Sequence, residues 1–146
     1  MKQKAIERLQ YLCAIIPQLL REIDEETFSF KLAAHVWSKK EIIGNLIDSA
    51  TNNHQTLARF QLDLGLNIFY NLHNWNKFGY YDKISQQEII ALWESQNRQL
   101  LEVIKLIPYE YLKTECNTGT NILTIESLIR NYVKELEGDL GRVVKY

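Results

Sequence analysis

The chain reads as an all-α protein, a four-helix bundle in a single domain spanning 1–146, and three observations carry that reading. Four stretches, near 4–23, 39–64, 86–107 and 125–144, repeat apolar side chains at the three- and four-residue spacing of a helix buried on one side. Start signals stand ahead of three of them: Ser38 with Glu41, Ser85 with Glu88, and Thr124 with Glu126. The 146 residues are 46% apolar, which is enough for one compact domain with a sizeable core. The four helices are expected to lie antiparallel, with the second and fourth in contact.

In order, the first helix buries Ile6, Leu9, Leu12, Cys13, Ile16, Leu19, Leu20 and Ile23. Pro17 sits inside it. A proline there removes one backbone hydrogen bond, but the stripe stays in phase across it, which predicts a kinked helix and not two helices. Residues 24–36 are a connection, with Phe28 and Phe30 expected to pack beneath it. The second helix starts at Lys39 behind the Ser38–Glu41 capping box, with Trp37 placed to staple back onto it. Its apolar face is Ile43, Leu46, Ile47, Ala50, His54, Leu57, Phe60 and Leu64.

Residues 65–83 form a long aromatic-rich connection with Leu66, Ile68, Phe69, Tyr70, Trp75, Phe78, Tyr80 and Tyr81, too much apolar surface for a solvated linker. It suits a pocket lid, a partner surface or a cap on one end of the bundle. The third helix opens with the Ser85–Glu88 box and ends at Pro108, a single turn follows at 108–112, and 114–123 reads as a loop. The fourth buries Ile125, Leu128, Ile129, Tyr132, Val133, Leu136, Leu140 and Val143.

Seventeen basic and eighteen acidic side chains without a block of like charge leave no electrostatic footprint for nucleic acid and no polybasic patch for a membrane. The first helix is interrupted by Glu7, Arg8 and Gln10 and lacks a cleavage site, so it is not read as a signal peptide; with no run of eighteen apolar residues, a soluble, cytoplasmic protein is expected. Cys13 and Cys116 have no CxxC spacing and no neighbouring base, so neither a disulfide nor a catalytic thiol is expected, Cys13 being a small core hydrophobe and Cys116 a loop residue. Walker, GxSxG, HExxH and repeat patterns are missing.

Candidate site residues lie on two polar edges. The second helix carries Asn45, Ser49, Asn52, Asn53 and Thr56 along one margin, with His54 in the adjoining apolar face; the fourth carries Glu135 and Asp139, two carboxylates one turn apart, with Gly138 between them. Both edges read equally as solvated margins, the carboxylates paired with Lys134 or Arg142. His35 and His73 are scattered and read as surface or packing residues.

Trp37, Ser38, Glu41, Gly44, Asn45, Leu46, Asp48 and Ser49 resemble the signature W-S-x-x-E-x-x-G-H-L-x-D-S of the DinB/YfiT-like superfamily, and the segments around Leu92–Asn97, Cys116–Gly119 and 124–140 are similar to later parts of it. The resemblance covers nearly the whole chain. It implies an up-down-down-up four-helix bundle, a homodimer, and kinship with metal-dependent thiol transferases or hydrolases, in which three histidines hold a divalent metal. Here those positions fall on Asn45, Glu135 and Asp139. An amide and two carboxylates are hard oxygen donors, so no tightly held zinc or nickel and no cofactor is expected, with room only for weak magnesium, manganese or calcium. The resemblance thus implies a degenerate metal site and a non-catalytic binding or structural role, with an enzyme acting on a small molecule through a hard cation or metal-free carboxylates as the alternative. Asn45 is expected to donate its amide hydrogens to one carboxylate and hold a cluster lining a pocket.

Overall fold

The computed structural model describes residues 1–62, 72–117 and 121–146. In chain order it has α1 (Lys2–Arg21), α2 (Glu25–Ser29), α3 (Lys39–Gln61), α4 (Leu72–Gly79), a 3-10 turn (Tyr81–Lys83), α5 (Gln86–Leu106), a second 3-10 turn (Tyr109–Tyr111), β1 (Glu115–Asn117), β2 (Ile122–Thr124) and α6 (Ile125–Leu140). The long helices α1, α3, α5 and α6 form a ring in which α5 and α6 each touch both α1 and α3.

Side chains that tie helix ends together give the directions. Lys2 at the start of α1 donates to the carbonyls of Lys105 and Ile107 at the end of α5, and Gln86 at the start of α5 donates to those of Leu20 and Ile23, so these helices are antiparallel. Lys39 at the start of α3 donates to the Val143 carbonyl just past α6, and Asn45 faces Asp139 across the seam, so α3 and α6 are antiparallel too. Lys40 pairs with Glu25 beyond the end of α1, which puts the start of α3 at the end where α5 begins. The order is therefore up, down, down, up, the order the resemblance implies; the four helices are not all antiparallel to their neighbours, since α3 and α5 run the same way. A chain leaving the end of α3 must return along the bundle before α5 can start, which is why the connection between them is long. By Asn76, whose side chain donates to the Glu41 carbonyl, that return is complete.

The core takes the predicted stripes, including Leu9, Leu12, Ile16 and Leu20 of α1, Ile43, Leu46 and Ala50 of α3, Ile89, Trp93, Leu100 and Ile104 of α5, and Ile129, Leu136 and Leu140 of α6. Inside it the Tyr132 hydroxyl donates to the Asn97 side-chain oxygen, while the Asn97 amide donates to the Trp93 carbonyl at 2.9 Å. Helix α1 continues through Pro17. The carbonyl deprived of its usual donor is that of Cys13, and Arg98 of α5 supplies one, its Nη2 lying 3.2 Å away.

Several expectations are amended. The connection 24–36 contains α2, which forms because Asp24 caps it, accepting from the Thr27 amide at 2.7 Å. Phe28 is buried there, but Phe30 is 63% exposed and packs beneath nothing. The segment read as a loop pairs as a hairpin, Cys116 opposite Leu123, which buries Cys116. Helix α6 stops at Leu140, short of 144, with Gly141 at its cap. Ser85 accepts from the Glu88 amide without the return bond, so α5 has half a capping box. Leu64, Leu66, Ile68, Phe69 and Tyr70 lie outside the described residues; of the other aromatics in that connection Tyr81 is buried, while Trp75, Phe78 and Tyr80 are exposed. No helix among the described residues is long and apolar enough to cross a membrane.

Candidate functional site

Everything at the site hangs from the start of α3. Ser38 Oγ accepts from the Glu41 amide and Glu41 Oε1 from the Ser38 amide, both at 3.1 Å, completing the predicted capping box. Lys31 adds a bond of 2.7 Å to the same carboxylate oxygen. Partial burial pushes the Glu41 carboxyl up, yet Lys31 and the Ser38 amide outweigh it and hold it below the usual range. Trp37, half-buried, packs its ring at 5.4 Å from that of His73 in α4.

From there two consecutive pairs of residues, each spaced by four, serve two surfaces about 100° apart. Gly44 and Asp48 face the 3-10 turn at Tyr81–Lys83. The Tyr81 ring lies so close to α3 that a Cβ built on Gly44 would sit 2.2 Å from it, and one on Gly79 2.5 Å, so both glycines are there to admit the ring. Its hydroxyl donates to Asp48 Oδ1, while Oδ2 is buried and without a partner. Burial raises the Asp48 pKa, and the tyrosine bond only partly offsets it. Tyr80, just before, takes a left-handed backbone, φ 54°, which swings the next residue inward. The sequence reading assigned Asp48 and Tyr81 no joint role; the signal available was an acidic residue one turn after a glycine on a helix flank, with a Gly-Tyr-Tyr run downstream.

Asn45 and Ser49 face α6 and, with Leu46, Glu135, Leu136, Gly138 and Asp139, line a cavity of about 380 Å³. Of the candidate residues, Asn45, Ser49, Glu135 and Asp139 thus share one pocket. Asn53 does not line it; its amide donates to the Ser49 carbonyl at 2.8 Å, bracing the helix below. His54 is half-buried on α3 and also lies outside the lining. Gly138 has open space where a side chain would be, which keeps the mouth wide.

The expected hydrogen bond from Asn45 to a carboxylate is not formed. Asn45 Oδ1 is buried without a partner, Asp139 turns to Arg142 at 3.4 Å on its own helix, and Glu135 is exposed to water. Each carboxylate has a closer alternative, a guanidinium one turn on or solvent, and neither needs the amide. The polar lining is an amide, a hydroxyl and two carboxylates, all oxygen acceptors, with no imidazole or thiol among them. Among the described residues no three of His, Cys, Asp and Glu converge as a metal group. Neither thiol lines the pocket, and burial raises both Cys13 and Cys116 to about 11, away from the thiolate form.

YfiT from Bacillus subtilis, described as a probable metal-dependent hydrolase with an unusual four-helix bundle topology, is a solved structure similar to this chain: TM-score 0.79, 17% sequence identity, 97% of this chain and 83% of that one covered. The likeness establishes the fold, a four-helix bundle like that of YfiT. No protein-family model matches it, nor does any curated protein.

Proposed function

We propose that this chain is a small-molecule binding module on a YfiT-type bundle, with the α3–α6 pocket as its site and the metal centre of its structural neighbour's kind lost. The donor set of that pocket carries the reading. Tight zinc and nickel sites are built mainly on imidazole and thiolate ligands, with carboxylates in support, and an amide with two carboxylates, one engaged by Arg142 and the other in water, does not fit them. What the lining offers instead is acceptors in excess of donors and two negative charges, with Arg142 beside one of them. That suits a compact ligand carrying N–H groups, an amine or amidine, seated against Leu46 and Leu136.

The test is a panel of small amines followed by amide chemical shifts, beside elemental analysis after purification without chelators. Amines are expected to move the resonances of 45–49 and 135–139. Glu135→Gln with Asp139→Asn should abolish the response at a melting temperature within a degree or two of the parent, because exposed charges of this kind contribute only about 0–1 kcal/mol. Stoichiometric zinc or nickel that is lost on changing Asn45, Glu135 or Asp139 would overturn the proposal. Turnover that requires manganese or magnesium and the same residues would establish the enzyme alternative in its place.

A further inference from the structure

We infer that a second site, for an amphiphilic organic anion, lies in the groove between α1 and α6, on the face of α6 turned away from the pocket above. The groove is a cavity of about 830 Å³, in the size range of small-molecule sites. Its floor carries small side chains, Ala5 of α1 and Val133 of α6, which leave space between the two helices. That floor is apolar; the walls are charged, with four cations against two carboxylates.

The charges are not evenly engaged. Arg8 is fixed by Glu137, with Nε at 2.8 Å and Nη2 at 2.6 Å from one carboxylate oxygen, and its guanidinium lies 5.0 Å from the Tyr11 ring and 5.9 Å from that of Tyr146. Glu7 accepts from Gln3. The remaining three, Lys4, Arg130 and Lys134, have no ion pair or hydrogen bond among the described residues. Their placement follows from helix direction. Since α1 and α6 are parallel, Lys4 is one turn toward the N-terminus from Arg8, and Lys134 and Arg130 lie one and two turns toward the N-terminus from Glu137. All three fall on the same side of the Arg8–Glu137 bridge, at one end of an apolar trough. Three cations free of ion pairs among the described residues, against the single carboxylate of Glu7 that is likewise free of them, leave a net positive charge beside the methyl groups of Ala5 and Val133, and match one ligand chemistry: a negatively charged head with an apolar body short enough to lie along two turns of helix. A purely inorganic anion would leave the trough unfilled, and a cation would meet like charge.

The probe is decyl phosphate below its micelle threshold, titrated into the full chain by calorimetry at low salt, with inorganic phosphate and decyltrimethylammonium as controls. Saturable binding of decyl phosphate is expected, with neither control competing and with shifts confined to 4–11 and 130–137. The triple variant Lys4→Gln, Arg130→Gln, Lys134→Gln should weaken it roughly tenfold, and added salt should do the same to the parent. These side chains are exposed and unpaired, so the variant should melt as the parent does; Lys134→Glu alone gives a second reading in the same direction. Equal affinity in the triple variant, equal binding of the cationic detergent, or no saturable binding would each overturn the inference. Glu135→Gln with Asp139→Asn should leave it unchanged, which separates this site from the α3–α6 pocket.

Discussion

Replacing Gly44 by alanine should destabilise the protein, against the intrinsic preference of a helix for alanine over glycine. On propensity alone the change gains about 1 kcal/mol. The new methyl, however, would lie 2.2 Å from Cδ2, 2.4 Å from Cγ and 2.8 Å from Cε2 of Tyr81, where carbon atoms need about 3.5 Å or more. The ring must withdraw by more than an ångström, from a site where it is 7% exposed and held by Asp48. Overpacking of that kind costs about 1–3 kcal/mol. Losing the tyrosine hydroxyl leaves the buried carboxylate with neither oxygen paired, which costs about 1–3 kcal/mol more. The net expectation is a loss of about 1–5 kcal/mol, read as a lower urea midpoint at unchanged slope by far-ultraviolet circular dichroism. In a Tyr81→Ala background the obstacle is gone and only propensity remains, so the same Gly44→Ala change should become stabilising by about 1 kcal/mol. A sign that does not reverse between the two backgrounds would refute the placement of the ring on α3.

Asp48 should govern part of the pH dependence of stability. Burial raises its folded pKa above the unfolded value, so its contribution is present below the unfolded pKa and is lost as pH rises through the folded one. Asp48→Asn, which keeps an acceptor for Tyr81 and cannot ionise, should gain on the parent progressively as pH rises from the acid range toward neutrality; parallel curves in denaturant titrations would refute this. Arg98→Met should cost about 0.5–1 kcal/mol in the parent, where the guanidinium serves the Cys13 carbonyl, and measurably less beside Pro17→Ala, where the restored amide serves it; an additive double-mutant cycle would show that Arg98 does not compensate for the proline.

What sequence made legible is what local chemistry decides. Ser38 and Glu41 bond to each other's backbone within one turn, and the stripes of α1, α3, α5 and α6 need only their own period to be recognised. The run of Pro17 through an intact helix was legible from the phase of its neighbours, but its compensation by Arg98 was not, since the donor arrives from another helix 85 residues away. The β1–β2 hairpin escaped notice because three-residue strands leave no alternation to read, and α2 because five residues are too few for a period; Asp24 was its one local sign.

The candidate pocket divides along the same line between position and chemistry. Helix spacing brought Asn45, Ser49, Glu135 and Asp139 to one cavity without any knowledge of tertiary contacts, because each edge is a four-residue step on its own helix and the two helices face each other. Spacing says nothing about which partner a side chain prefers: Asp139 takes Arg142, as the reading of a solvated margin expects, while the expected bond from Asn45 to a carboxylate is missing and Asn45 keeps a buried oxygen unpaired. The orientation of Asn45 has a cause outside the pocket. Gly44 and Asp48 precede Asn45 and Ser49 by one residue each, so the Tyr81 contact that fixes the first pair fixes the rotation of α3 and with it the second pair. A strained tyrosine turn in the connection from α4 to α5 thereby sets how the acceptor edge of α3 meets α6. The aromatic connection, read in sequence as a lid or a cap, acts on the pocket through the far side of the helix that lines it.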